Sequence, residues 1–184
     1  MSFKEQTVMN DMRTSMDYLV KAEPVIKQLL NGGEILPVEG SDDEVCKMLD
    51  LTCGIDYFHV YSNGLTWGIA SRMQPNCSKG WNTFTVRMKR ESGAKTEYEK
   101  RKFAIDHNGE YPFLTMQGYF DGNNDVISLA IAKTIDVMNC VENNIGYYRH
   151  TGQDKTGQAE FYVVPWDKMK QAGHKVLIYE REGR

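Results

Sequence analysis

The sequence predicts an α+β fold, a central and mostly antiparallel or mixed sheet with a strand meander, flanked by helices. Three observations predict it. Apolar residues recur at spacings of three and four across residues 4–30, which is the helical period. Three runs in the middle of the chain, 54–61, 65–74 and 81–90, are rich in β-branched and aromatic residues and are joined by turn-forming segments. Helical and strand-like runs then alternate to the end. With 184 residues, 41% of them hydrophobic, the chain can build one sizeable core, so residues 1–184 are read as one domain. Its parts are a helical region over 1–40, a core over 41–120, and a helix with late strands over 121–184.

In the first helix Val8, Met9, Met12, Met16, Leu19 and Val20 form the apolar stripe, Pro24 should interrupt it, and Asn31-Gly32-Gly33 should end it. Ser41, with Glu44 three residues on, predicts a capped short helix to residue 49. GIDYFHVY (54–61), the turn Ser62-Asn63-Gly64 and LTWGIASRMQ (65–74) read as a hairpin. WNTFTVRMKR (81–90) alternates, with Phe84, Val86 and Met88 on one face and Thr83, Thr85, Arg87 and Lys89 on the other, giving it a polar, basic working face. Ser92-Gly93 turns the chain, and Thr96 caps a helix over 97–105 whose acids come first and bases later, as the helix dipole favours. YPFLTMQGYF (111–120) is a further strand, and DVISLAIAKTIDVMNCVE (125–142) reads as a second long amphipathic helix. A Gly- and Gln-rich loop (151–158), a strand at 159–166, a short helix at 167–171 and an edge strand at 175–180 complete the reading.

Net charge is −3, but it is unevenly spread. From Arg72 to Lys102 nine bases (Arg72, Lys79, Arg87, Lys89, Arg90, Lys95, Lys100, Arg101, Lys102) face three acids (Glu91, Glu97, Glu99), a local balance of +6 that leaves −9 elsewhere. A single-sign patch in an acidic chain is an electrostatic footprint for an anionic partner, DNA or RNA foremost. Cys46, Cys53, Cys77 and Cys140 show no CxxC spacing and are expected as free thiols. The opening residues lack the layout of a secretory signal and no window is apolar enough to span a bilayer, so the expected setting is cytoplasmic, without membrane. Phosphate loops, dinucleotide fingerprints, nucleophile elbows and HExxH helices are absent from the sequence.

Two constellations carry the chemistry. On 65–74 the alternation puts Gly68, Ala70, Arg72 and Gln74 on one face, small residues beside an Arg and a Gln that suit a phosphate and a base edge or sugar; the other reading is a buried Arg72 paired with Asp56 or Glu97. In RMKRESGAKTEYEKR (87–101) a glycine turn and a capped helix start lie between basic clusters, so Arg87, Lys89, Lys95, Lys100 and Arg101 are candidate nucleic-acid contacts, with Glu97 competing for the positive helix end.

Asp56 in GIDYFHV, followed in the next strand by Ala70-Ser71-Arg72, resembles the Asp and acid-x-Lys pair of the PD-(D/E)XK, restriction-endonuclease-like nuclease superfamily over residues 41–120. The resemblance implies a core of helix, three-strand meander, helix and further strand. It also implies carboxylates holding Mg²⁺, whose bound water attacks a phosphodiester while a cation orients it. Ala70 ligates no metal and Arg72 stands for the Lys. A working nuclease then needs Asp56 as ligand and a relocated acid from Glu44, Glu97 or Glu99, whereas loss of that acid leaves a nucleic-acid binder. The alternative is an accessory or inhibitor protein of phage type that docks on a host nucleic-acid enzyme through the same basic face.

Overall fold

The computed structural model describes residues 3–38, 41, 43–90, 93–150 and 159–182, with side chains from Asp17 onward. Helix α1 (Phe3–Leu30) leads into strand β1 (Glu34–Pro37), helix α2 (Glu44–Met48) and a π-helical turn (Leu49–Cys53). Strands β2 (Tyr57–Val60), β3 (Thr66–Gln74) and β4 (Thr83–Arg90), helix α3 (Glu97–Asp106), and strands β5 (Leu114–Phe120) and β6 (Val126–Lys133) follow. Helix α4 (Thr134–Glu142), strands β7 (Tyr147–His150) and β8 (Ala159–Pro165), helix α5 (Trp166–Gln171) and strand β9 (Val176–Glu180) complete the order. A six-stranded mixed sheet runs β1-β2-β3-β5-β6-β9, and a second, antiparallel sheet runs β4-β8-β7. The α+β class is as expected.

Three expectations are corrected. The 81–90 strand does not continue the meander of 54–61 and 65–74: β2 and β3 pair, but β4 joins the second sheet. Its eight-residue approach, PNCSKGWN, is too long for a tight hairpin and puts Asn76 and Asn82 at positive φ, which turns the chain away from β3. The first half of 125–142 is strand β6 rather than helix. Asp121 closes a hairpin there, its Oδ1 accepting the N–H groups of Asn123 and Asp125 at 2.9 and 3.1 Å, and β6 then pairs with β5. Every residue of β6 but Lys133 is buried, so the strand shows no period of two. Pro24 lies inside α1 without ending it; Pro24 and Val20, whose carbonyl loses its N–H partner, are both on the exposed side, where water can take the carbonyl.

The six-stranded sheet has a core on each face. On one, Tyr18, Leu19, Ala22, Val25, Ile26 and Leu30 of α1 cover Ile69, Met116, Leu129 and Ile131. Val20, expected in that stripe, is 64% exposed, and Val8, Met9, Met12 and Met16 lie outside the described side chains. On the other face, Tyr119, Ala130 and Ala132 belong to one core cluster with Phe84, Val86, Tyr162 and Val164 of the second sheet, Val137 and Met138 of α4, and Trp166. The apolar face of β4 is thus core, as read. Its polar face looks into the cleft between the sheets: Thr83 Oγ1 lies 2.8 Å from the Tyr119 hydroxyl, and Thr85 Oγ1 donates to Gln117 Oε1 at 3.1 Å.

The strand at 147–150 forms a surface hairpin with β8. A Cβ at Gly146 would overlap the Val163 carbonyl oxygen, so Gly146→Ala is expected to cost about 1–3 kcal/mol. Urea unfolding measures it, and an unchanged midpoint would contradict this approach of the β7 edge to β8. The cysteines are free thiols, and among the described residues no helix is long and apolar enough to cross a membrane.

Candidate functional site

The β3-to-β5 connection is parallel, so the chain must cross over, and β4 and α3 lie in that crossover. Helix α3 therefore lands beside Ala70, Ser71 and Arg72, in the later half of β3. Thr96 caps it: its hydroxyl accepts the Glu99 N–H at 3.2 Å while Glu99 Oε2 accepts the Thr96 N–H at 2.7 Å. With the cap internal to the protein, Glu99 is committed to structure and the helix start does not serve as a free phosphate nest. Glu97, Lys100 and Arg101, three and four residues apart, share the helix face that looks at β3.

There a cavity of about 190 Å³ is lined by Asp50, Cys53, Gly54, Asp56, Ala70, Ser71, Arg72, Arg90, Glu97, Lys100 and Arg101. Glu97 is its hub. Its Oε2 accepts from Arg72 Nη2 at 3.0 Å and from the Arg87 N–H at 3.2 Å, and its Oε1 faces Arg101 Nη2 at 2.7 Å. Burial pushes this carboxyl up, but Arg101, Arg72 and the Arg87 N–H together outweigh it and hold it below its ordinary value. Asp56 Oδ2 accepts the Ser71 N–H at 2.5 Å, so the Asp56–Arg72 pairing weighed from sequence is not formed; Arg72 pairs with Glu97. Burial raises the Asp50 carboxyl, against the pull of Lys100.

Donors outnumber acceptors. Arg101 is only 4% exposed and its Nη1 has no hydrogen-bond partner; the buried Nε of Arg90 and of Arg87 are also unpartnered. Burial, and the charges of Arg72 and Arg90, lower the Arg87 pKa. Arg72 and Arg87 hold their guanidiniums 4.9 and 5.3 Å from the centre of the Phe161 ring. A buried guanidinium nitrogen without an acceptor is costly, and an anion with several oxygens supplies what is missing.

The sequence candidates divide accordingly. Asp56, Arg72, Glu97, Lys100 and Arg101 meet at this cavity; Arg87 reaches it through its backbone, its side chain half-buried against Phe161 instead of on an open working face. Gln74 lines a neighbouring cleft. Lys89 is exposed beyond a bulge in β4, Lys95 lies 5.4 Å from the Phe103 ring, and Glu44 is exposed at the start of α2, with none of the three lining either cavity. The room foreseen beside Gly68 is filled by Ile55, whose side chain lies 3.0 Å from a Cβ placed there. Arg90, Asp50 and the orphaned nitrogens were not singled out, because which end of β4 meets α3 depends on the second sheet.

The residues do not fit a Mg²⁺ site. Both Glu97 oxygens are engaged by guanidiniums, Asp56 carries a backbone hydrogen bond, and Arg72, Arg90 and Arg101 would repel a divalent cation. Among the described residues no three His, Cys, Asp or Glu side chains group as metal ligands. Comparison with protein-family models, with curated proteins and with solved structures gives no match.

Glu97 also gives a pH prediction. Its folded-state pKa lies below the unfolded one, so its contribution to stability is full above the ordinary value of 4.5 and is lost as pH falls through the folded-state pKa. Melting curves on acidification should show a stability loss in the wild type that Glu97→Gln lacks. Parallel curves for the two proteins below that value would contradict the assignment.

Proposed function

We propose that this protein binds the phosphate backbone of DNA or RNA at the arginine cavity between β3, β4 and α3, without metal-dependent cleavage. The observation that carries the reading is the surplus of buried guanidinium donors, above all Arg101 Nη1, at a cavity that Arg72, Arg90 and Lys100 also line. Phosphate oxygens accept several such bonds at once, and Arg presents them in a fixed fork. The order α1, β1-β2-β3, α3, β5 supports a restriction-endonuclease-like core in which β1, not β4, is a member of the meander. On that reading Asp56 and Arg72 occupy the inherited positions, Ala70 marks the lost acid, and Glu97 has become an arginine anchor. A cytoplasmic setting goes with it.

Fluorescence anisotropy with labelled oligonucleotides in low salt tests the proposal. Wild type should bind, and Arg90→Ala combined with Lys100→Ala should weaken binding at least about tenfold with little change in melting temperature. Absence of binding to single- or double-stranded DNA or RNA would overturn it. The weight would then pass to an accessory or inhibitor protein that docks on a host nucleic-acid enzyme. Val45, Met48 and Leu51, all more than half exposed on α2 and the turn beside the cavity, favour that second reading.

A further inference from the structure

A second cavity, about 300 Å³, opens in the cleft between the two sheets and is lined by Arg72, Met73, Gln74, Thr85, Arg149 and Phe161. Arg72 lines both cavities, so the two are neighbours joined by one guanidinium. Their chemistry differs. The first is walled by charged groups of both signs, whereas this one offers the Phe161 ring with Arg72 over it, a second arginine, Arg149, and two neutral polar groups, Gln74 and Thr85. The Gln74 side-chain amide has both donor and acceptor capacity and no hydrogen bond to a described residue, though Gln74 backbone accepts from Cys77. Thr85 donates to Gln117, and Gln117, 1% exposed, has an Nε2 with no partner.

We infer that this cleft takes the base of a nucleotide whose phosphate sits at the arginine cavity, so that the protein engages an unstacked nucleotide rather than the outside of a duplex. This rests on the phosphate-binding reading and deepens it. A planar ring finds an aromatic and guanidinium wall on one side, while Gln74 and Thr85 reach its polar edge. The apolar-plus-polar lining and the volume, at the small end of ligand sites, suit one base. A base paired within a helix could not enter a cleft between two sheets without leaving its stack.

The test compares a short labelled single-stranded oligonucleotide with the same strand carrying abasic sites. The base-bearing strand should bind about tenfold more tightly, as stacking of one base supplies. Gln74→Ala, and separately Phe161→Leu, should erase most of that difference. Equal affinity for the two strands would overturn the base subsite while leaving the phosphate site standing. Failure of both strands to bind would overturn both, and a difference that survives both substitutions would place the base elsewhere.

Discussion

Replacing Glu97 by Gln is expected to destabilise the protein by roughly 3–5 kcal/mol, the cost of breaking a buried ion pair by removing one partner. The size follows from what remains. Arg101 is enclosed and already has one orphaned nitrogen, Arg72 is about a third exposed, and Arg87 stands behind them, so loss of the carboxylate leaves guanidiniums facing one another. Gln keeps one acceptor oxygen, enough for two of the three partners that Glu97 serves, turns an amide N–H donor on the third, and carries no charge. Inorganic phosphate or sulfate should raise the melting temperature of Glu97→Gln more than that of wild type, since an added anion replaces the missing charge. Urea titration checks the first effect and melting with added anion the second. A variant within about 0.5 kcal/mol of wild type would mean that the hub is a solvated surface pair.

The second large effect concerns cleavage. With Mg²⁺ or Mn²⁺ present, wild-type protein should leave bound DNA and RNA intact, because the Glu97 and Asp56 carboxylates are engaged by Arg72, Arg101 and the Ser71 N–H. Asp56→Asn should then bind oligonucleotides a few-fold more tightly, since it removes a negative charge from the cavity proposed to take phosphate. Gel analysis of end-labelled strands decides the matter. Metal-dependent products from wild type that vanish in Asp56→Asn would establish a nuclease and overturn the non-cleaving reading.

Helix α3 was legible to its cap because Thr96 and Glu99 lie within one turn and their chemistry is local. The β2–β3 hairpin was legible because Ser62-Asn63-Gly64 fixes its turn. Strand β6 was not: an apolar run buried on both faces carries no period, and the hairpin signal in Asp121-Gly122-Asn123-Asn124 was outweighed by the helical pattern of the α4 residues that follow. Strand β4 was assigned to the wrong sheet because its partner, β8, lies some 70 residues on, beyond any local signal.

The site shows the same division. Lys100 and Arg101 were legible because the basic cluster is contiguous, Arg72 because strand alternation sets it beside small residues, and Glu97 as an acid within reach of that arginine. That Glu97 would hold Arg72 and Arg101 together while Asp56 turned to a backbone N–H is a matter of distances. Arg87 illustrates the limit: strand alternation correctly put it on the polar face of β4, but whether that face meets solvent or another sheet is a tertiary fact.

The most direct measurement is the salt dependence of oligonucleotide affinity for wild type and for Arg90→Ala with Lys100→Ala. If these side chains contact phosphates, log K against log salt should fall steeply for wild type. The slope should then shrink by about 0.7 for each contact removed from a single strand. Equal slopes for the two proteins, or affinity that does not respond to salt, would contradict a phosphate site at this cavity.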